Sequence, residues 1–221
     1  MKLFLANCSH LPPNASVGLL VPTDQPDINR LSRTQDRVRL IKLRNLRRLI
    51  LSHHLGTPPQ QLEFIDVDGK PSLPGRPDIH FSTASSGEFF AITISDQPVG
   101  VDLEVFDQQS HSENRDLSDH LFHAYERQAQ TQAKPQEWQK IFYLIWTQKE
   151  AYSKARGLGF GIDFDNFAVS TTGGAVLEGK DAPSPGGWYT SPIESCWPLV
   201  VAVAQAEPIP VVEPDWFDWP F

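Results

Sequence analysis

The segment Gly-Val-Asp-Leu-Glu at residues 100–104 constrains the fold of this chain more than any other. Apolar and polar residues alternate through it, and this two-residue period predicts a β-strand. Because successive side chains of a strand point to opposite faces, Asp102 and Glu104 would share one face. Two such carboxylates repel each other unless water or a cation separates them. The pattern predicts either a site for Mg²⁺, which prefers oxygen ligands, or a half-exposed strand whose acids face solvent.

A second segment, residues 136–156, has the periodicity of an amphipathic helix. Its apolar positions are Trp138, Ile141, Phe142, Ile145, Trp146 and Tyr152. Trp146, Glu150 and Lys154 are four residues apart and would project from one face of the helix. Gly157 is a typical C-terminal stop. The helix would therefore present a third carboxylate together with an ammonium group. The alternative is an ordinary Glu–Lys pair on the protein surface.

Together, these segments resemble a known protein family. The strand at residues 100–104, the W-x-x-K-E-x-x-x-K pattern of residues 146–154 and the two glycines of residues 157–159 resemble the 4′-phosphopantetheinyl transferases of the Sfp type. Upstream, Gly69-Lys70-Pro71 resembles the G-K-P element of that family. Residues 78–86 lie where the family carries an F-N-x-S-H-S-like segment. The order and spacing of these elements agree with the family over about residues 30–170.

The resemblance implies a fold and an activity. The fold would be an α+β pseudo-dimer of two similar lobes, residues 1–97 and 98–221, with the site at the lobe interface. The activity would be Mg²⁺-dependent transfer of 4′-phosphopantetheine from coenzyme A to a serine of an apo acyl or peptidyl carrier protein. The products would be holo-carrier protein and adenosine 3′,5′-bisphosphate. A cytoplasmic monomer is expected.

The resemblance also implies roles for individual residues. Asp102, Glu104 and Glu150 would bind the metal ion. Glu150 would also accept the proton of the carrier serine, directly or through a water, and Lys154 would stabilise or protonate the leaving group. The residues expected to contact coenzyme A are Arg39, Lys70, Ser85, Ser86, Asp102 and Lys154. Here the chain departs from the family, because Ser85 stands where a histidine usually contacts a phosphate of coenzyme A.

Residues 28–55 form the longest predicted helical region, and they are strongly cationic. Their basic residues are Arg30, Arg33, Arg37, Arg39, Lys42, Arg44, Arg47 and Arg48. Asp36 is the only acidic residue in this region, although the whole chain has a formal charge of −8. A strongly basic region in an acidic protein indicates a surface that binds anions. The guanidinium group of arginine can bind a phosphate through two parallel hydrogen bonds. The resemblance implies that this helix helps to hold the 3′-phosphate of coenzyme A and faces the acidic carrier protein. A solvated helix face is the alternative.

Length and composition exclude several other classes of protein. A chain of 221 residues can form one large domain or two small ones. The net negative charge argues against a general nucleic-acid surface. Cys8 and Cys196 are too few for a disulfide framework, which favours a reducing cytoplasm. No apolar run approaches the length of a membrane span, and residues 2–6 are interpreted as a first strand.

Periodicity predicts further elements around these motifs. Strands are expected at residues 62–67, 80–81, 89–94, 160–169 and 197–204, a polar turn at residues 82–87, and an amphipathic helix around residues 117–127. Residues 207–221, rich in Trp, Phe, Pro and acids, are expected to pack back on the molecule with their aromatic rings buried.

Two other functions remain open at this point. One is a different metal-dependent phosphodiester enzyme, although nucleases with related spacings place their Glu and Lys two residues apart on a strand. The other is a non-catalytic protein of the same fold that binds a carrier protein but has lost coenzyme A. Ser85 favours this second alternative, whereas the intact acids and Lys154 argue against it.

Overall fold

The structure is a computed structural model that describes residues 1–10, 25–67, 70–107, 111–181, 184–193 and 198–217. Gly69 of the G-K-P element and Cys196 lie outside these residues. The helices are α1 (Gln25–Arg30), α2 (Thr34–Leu55), α3 (His111–Leu121), α4 (Ala124–Gln132) and α5 (Trp138–Arg156). The strands are β1 (Lys2–Asn7), β2 (Ile65–Val67), β3 (Lys70–Ser72), β4 (His80–Ser86), β5 (Phe89–Ser95), β6 (Val99–Val105), β7 (Phe167–Ala168), β8 (Gly174–Glu178), β9 (Ser184–Ile193), β10 (Leu199–Gln205) and β11 (Asp215–Trp216). This mixture confirms the predicted α+β class.

Two sheets organise these elements. The first has the strand order β11-β1-β5-β4, in which β1, β5 and β4 pair antiparallel and β11 joins β1 in parallel. The second has the order β6-β10-β9-β8-β7 and pairs antiparallel throughout. A short hairpin of β2 and β3 stands beside them. The second sheet is formed by strands that follow residue 98, whereas the first takes β11 from the C-terminal end of the described chain.

The strands β1, β5, β6 and β10 are largely buried on both faces, and this places the sheets between two long helices. One face of the first sheet packs against α2 through the cluster Phe4, Leu46, Ile50, Leu51, Phe81, Phe90 and Ile92. The other face meets the second sheet through Leu3, Leu5, Ala91, Val101, Leu103, Val201 and Val203. The outer face of the second sheet packs against α5 through Val200, Ala202 and Ala204. The alternation in β6 therefore sends Val101 and Leu103 into the inter-sheet core.

The main predicted elements are confirmed, with the bounds adjusted. The strand at residues 100–104 is the centre of β6, and the helix of residues 136–156 is α5. Gly157 ends α5 with φ 68°, and its N–H donates to the carbonyls of Ser153 and Lys154. The cationic region of residues 28–55 is interrupted between Arg30 and Thr34, so that it forms α1 and α2.

Three local predictions were wrong. Residues 82–86 do not form a turn, because each of them pairs with β5 and the chain reverses only at Gly87 and Glu88. The strand expected at residues 160–169 is two 3-10 turns followed by the short β7. The helix expected around residues 117–127 is broken at Phe122 and His123, because the His123 ring and Glu126 form a capping box that begins α4.

The C-terminal segment does pack back on the molecule, as predicted. Its strand β11 pairs with β1, where Leu5 faces Trp216, and the Phe217 N–H donates to the Leu5 carbonyl at 2.7 Å. The half-buried Phe217 ring packs against the core beneath α2. Burial of the aromatic rings is incomplete, because Trp216 is 52% exposed. In the described ranges, no helix combines the length and the apolar character needed to cross a membrane.

Candidate active site

The close contact between β6 and α5 creates the candidate site. A Cβ atom added to Gly100 would lie 1.9 Å from the Ala151 carbonyl oxygen and 2.6 Å from the Ala155 backbone nitrogen. Only glycine permits this approach. It brings the strand that carries Asp102 and Glu104 against the helix that carries the third acid. The sequence motifs do not indicate this role for Gly100, although a glycine inside a strand can signal a close backbone approach.

Asp102 lies at the centre of the site. The residue is 5% exposed, and its Oδ1 accepts a hydrogen bond from Lys154 Nζ at 2.6 Å. Its Oδ2 is buried and has no hydrogen-bond partner among the described residues. Burial raises the pKa of the Asp102 carboxyl, although the nearby Lys154 ammonium opposes that rise. A buried carboxylate with one free oxygen can accept a further cation.

Glu104 lies two residues further along the same strand face. Its Oε2 accepts a hydrogen bond from the Ser86 hydroxyl at 2.7 Å, and the same hydroxyl accepts one from the Val105 N–H at 3.2 Å. Burial raises the pKa of Glu104, the Ser86 hydrogen bond lowers it, and the negative charge of Asp102 raises it further. Ser86, at the end of β4, therefore joins the first sheet to the acidic strand.

Glu150 approaches the two acids from α5. Burial and the negative charges of Asp102 and Glu104 raise its pKa to about 7, against the opposing effect of Lys154. Its Oε1 is buried and has no hydrogen-bond partner in the described part of the chain. The structure thus brings all three predicted acids and Lys154 into one electrostatic environment at the contact between β6 and α5.

The chemistry of these acids fits a hard divalent cation, but they do not form a preformed metal site. Within the described ranges, no group of three or more His, Cys, Asp or Glu side chains has an arrangement that could hold a metal ion. Asp102 instead forms an ion pair with the Lys154 ammonium. Two buried oxygens, Asp102 Oδ2 and Glu150 Oε1, have no partner among the described groups. Carboxylate oxygens of this kind are ligands that Mg²⁺ accepts.

Lys70, the first residue of β3, borders the site. Its Nζ donates to the Lys154 carbonyl at 2.8 Å and to the Val99 carbonyl at 3.1 Å. Burial lowers its pKa to about 8. Because a lysine has three donor hydrogens, these two bonds leave one for another acceptor. Lys70 also lines a cavity of about 150 Å³ together with Lys154 and Thr83. Two lysines therefore border this cavity, and their positive charge suits an anion such as phosphate.

Arg39 and Ser85 meet at the far end of β4. Arg39 Nη2 donates to the Ser85 hydroxyl at 3.2 Å. Because consecutive side chains of a strand point to opposite faces, Ser85 faces the cationic helix α2 while Ser86 faces Glu104. The segment predicted as a polar turn therefore acts as a strand that separates an arginine from the acids.

Not all of the basic residues of α2 are available to an anion. Arg48 is 1% exposed and donates to the carbonyls of Pro59 and Leu62, so it stabilises the following loop. Lys42 Nζ donates to the Cys8 carbonyl at 3.1 Å. Exposed Arg33, immediately before α2, and half-buried Arg39 are better placed to meet an anion.

Comparison with known proteins gives the family. A model described as the 4′-phosphopantetheinyl transferase superfamily matches residues 98–206, which contain Asp102, Glu104, Glu150 and Lys154. This segment, just under half of the chain, is similar to the 4′-phosphopantetheinyl transferase superfamily. The match confirms the resemblance that the sequence motifs predicted. Arg39, Lys70 and Ser85 precede the segment that the superfamily model covers.

Individual 4′-phosphopantetheinyl transferases resemble more of the chain. A 4′-phosphopantetheinyl transferase of Bacillus subtilis is 26% identical over 155 residues, 69% of this chain and 67% of the relative. A putative 4′-phosphopantetheinyl transferase of Synechocystis sp. is 33% identical over 159 residues, 63% of this chain and 64% of the relative. The transferase Sfp of Bacillus subtilis strain 168 is 26% identical over 141 residues, 63% of this chain and 61% of the relative. The chain thus spans roughly two thirds of the length of these relatives. Their names describe 4′-phosphopantetheinyl transferases.

Proposed function

We propose that this protein transfers the 4′-phosphopantetheine group of coenzyme A to a serine of an apo acyl or peptidyl carrier protein. The products are the holo-carrier protein and adenosine 3′,5′-bisphosphate. The observation that carries the proposal is the convergence of Asp102, Glu104, Glu150 and Lys154 where β6 contacts α5. Three acids and an ammonium at one place suit the cleavage of a diphosphate, because charge builds on the phosphate oxygens and on the leaving group.

Asp102, Glu104 and Glu150 are the residues that would hold Mg²⁺. When bound, the ion would neutralise the negative charge of the diphosphate and orient it for attack. The fit rests on the two buried carboxylate oxygens without a described partner and on the raised pKa values of the three acids. Burial disfavours the charged form of all three acids, and neighbouring acids add to this effect at Glu104 and Glu150, so a cation would stabilise the ionised carboxylates.

Glu150 is the proposed general base. The pKa of Glu150 is about 7 in the metal-free protein, and a bound cation would lower it and so favour the carboxylate form that accepts a proton. The carrier serine oxygen forms a bond to the phosphorus of the phosphopantetheine group, and its proton passes to Glu150 directly or through a water. The bond from this phosphorus to the bridging oxygen breaks, and that oxygen departs with adenosine 3′,5′-bisphosphate. Lys154, one helical turn from Glu150, faces the leaving oxygen and stabilises or protonates it.

The phosphates of coenzyme A are bound by groups of the first lobe in this proposal. Lys70 offers a point charge between the lobes, and Ser86 lies beside Glu104. Arg39 reaches Ser85, so that a guanidinium group is present where the family usually has a histidine. A guanidinium can bind a phosphate through two parallel hydrogen bonds. The loss of the histidine therefore leaves a cationic group at this position.

The cellular context follows from the same proposal. The partner is an acidic carrier protein that meets the exposed arginines at the start of α2. The protein acts as a cytoplasmic monomer with two similar lobes, residues 1–97 and 98–221, and binds coenzyme A between them. The hydrogen bonds from Lys70 to Val99 and Lys154 join these lobes beside the site.

The decisive experiment is a transfer assay. The protein is incubated with coenzyme A, Mg²⁺ and a panel of apo-carrier proteins, and mass spectrometry measures the addition of one phosphopantetheine group. We expect modification of at least one carrier and none of the same carrier with its acceptor serine replaced by alanine. Asp102→Ala should abolish transfer, whereas full transfer by this variant would disprove the metal assignment.

The alternative of a non-catalytic carrier-binding protein rests on Ser85. Isothermal titration calorimetry with coenzyme A and Mg²⁺ separates the two functions. Heat of binding that is reduced in Arg39→Gln supports the transferase and its use of Arg39 in place of the histidine. No heat with the unaltered protein would favour the carrier-binding alternative.

A further inference from the structure

A buried ion pair beside the candidate active site has no part in the chemistry proposed above. Lys149 immediately precedes Glu150 on α5, and its partner Glu126 lies on α4. Their side chains are 0% and 1% exposed. Lys149 Nζ donates to both carboxylate oxygens of Glu126 at 2.8 Å. The lysine of the W-x-x-K-E pattern is therefore directed into the protein and away from any substrate.

The pair is fully hydrogen-bonded. The third ammonium hydrogen of Lys149 is donated to the Phe167 carbonyl at 2.7 Å. Glu126 also accepts hydrogen bonds from the N–H groups of His123 and Val169, each at 2.8 Å. Lys149 Nζ lies 4.0 Å from the centroid of the Phe167 ring. The two side chains therefore connect α5 to the beginning of α4 and to both ends of β7.

Stability alone does not account for this arrangement. Removing two charges from water is costly, and an apolar pair of similar volume is often as stable as a buried ion pair. Hydrogen bonds differ from apolar contacts in being directional, and a fully connected network fits one arrangement of its elements. The property that the pair adds is therefore a fixed orientation of α5 relative to α4 and β7.

We propose that Lys149 and Glu126 are positioning residues, which hold α5 at the rotation that directs Glu150 and Lys154 toward β6. This inference rests on the proposed transferase function. A side-chain tip lies about 5 Å from the axis of a helix, so a rotation of α5 by roughly 10° would move Glu150 by about 1 Å. A displacement of this size can reduce a catalytic rate by roughly 100-fold.

Two double variants test the proposal. Lys149→Met with Glu126→Leu replaces the pair by apolar side chains, and Lys149→Arg with Glu126→Asp restores it with a longer base and a shorter acid. The transfer assay gives kcat and the KM for coenzyme A. We expect the apolar variant to fold and to lose kcat by about tenfold or more, with KM changed by less than about threefold. The restored pair should recover most of kcat.

A matched control separates positioning from general destabilisation. Ile50→Val removes one methyl group from the core beneath α2, distant from α5, and should leave kcat unchanged. The proposal is overturned if the folded apolar variant retains kcat within about twofold of the unaltered protein. It is overturned as well if only the restored pair folds, because the pair would then serve the fold itself.

A second measurement does not depend on activity. Hydrogen exchange followed by mass spectrometry reports local opening of α5. In the apolar variant, we expect exchange to accelerate by about tenfold over residues 146–156, with β1 and β5 unchanged. If the unaltered protein modifies no carrier, the proposed function is wrong. The positioning proposal is tested separately, because unchanged hydrogen exchange of α5 in the apolar variant would overturn it.

Discussion

Single residues of the site are held in states that they would not adopt in water. Glu150 is the clearest case, since burial and two neighbouring acids raise its pKa from 4.5 to about 7. The unfolded chain releases this proton near pH 4.5, whereas the folded protein retains it to about pH 7. The ionised residue therefore opposes folding, and this contribution grows as the pH rises from 4.5 to 7. The role proposed for Glu150 is therefore in conflict with stability.

Glu150→Gln should consequently make the metal-free protein more stable at pH 8. We expect a gain of about 1–2 kcal/mol in the free energy of unfolding, after allowance for solvent screening. Urea denaturation in the presence of a chelator at pH 8 and pH 4.5 measures it, and the gain should vanish at pH 4.5. An equal gain at both pH values would show that ionisation of Glu150 is not its cause.

Lys70 gives a second prediction for a single residue. Its pKa of about 8 means that it loses its charge between pH 7 and pH 9. Because a charged donor strengthens a hydrogen bond to phosphate, coenzyme A should bind more weakly across this range, by about tenfold. Calorimetric titrations at pH 7 and pH 9 measure the affinity. Lys70→Met should bind weakly at both pH values, and a variant with the pH dependence of the unaltered protein would contradict this assignment.

Pairs of elements decide whether the residues meet. The contact between β6 and α5 depends on Gly100, where a Cβ atom would overlap the helix backbone. Backbone atoms cannot move aside as a flexible side chain can, so a methyl group must push the strand and the helix apart. The distance between Asp102 and Glu150 is therefore controlled by a residue that carries no functional group.

Gly100→Ala should destabilise the protein by about 1–3 kcal/mol and reduce transfer more than stability alone would explain. Gly75→Ala is the matched control, because a Cβ atom there has no neighbour within 4 Å. Urea denaturation and the transfer assay on both variants measure the effects. Equal behaviour of the two variants would show that the close approach is not essential.

The sequence predicts an element well when its pattern is local. The alternation in β6 and the spacing and final glycine of α5 were sufficient, since each pattern comes from one element. Residues 82–86 were misassigned because their strand conformation depends on pairing with β5, which a polar sequence does not reveal. In the same way, the eight basic residues between positions 28 and 55 suggested one cationic helix surface. Tertiary contacts turned Arg48 into a buried hydrogen-bond donor.

The sequence also placed the acids on two elements but could not show that these elements touch. That information lies in packing between residues about fifty positions apart, as in the hydrogen bond between Asp102 and Lys154. The family resemblance supplied the missing connection. The Lys149–Glu126 pair had no such support, because a lysine in a helix is usually expected to face solvent.

At the scale of the whole molecule, β11 connects the two halves. The segment leaves the second sheet after β10 and ends on the edge of the first sheet beside β1. Phe217→Ala should therefore destabilise the protein by about 1–3 kcal/mol, although the residue is distant from the acids. Val211→Ala, at a position that is 91% exposed, should change the free energy of unfolding by less than about 0.5 kcal/mol. Urea denaturation measures the free energy of unfolding of both variants. Equal effects would show that the Phe217 ring does not anchor β11.

This connection has a consequence for biosynthesis. Because β1 lies far ahead of β11 in the chain, β1 keeps one unpaired edge until β11 has been synthesised. Unpaired edges recruit strands from other chains. A nascent or prematurely terminated copy without β11 would therefore aggregate more readily than the complete fold.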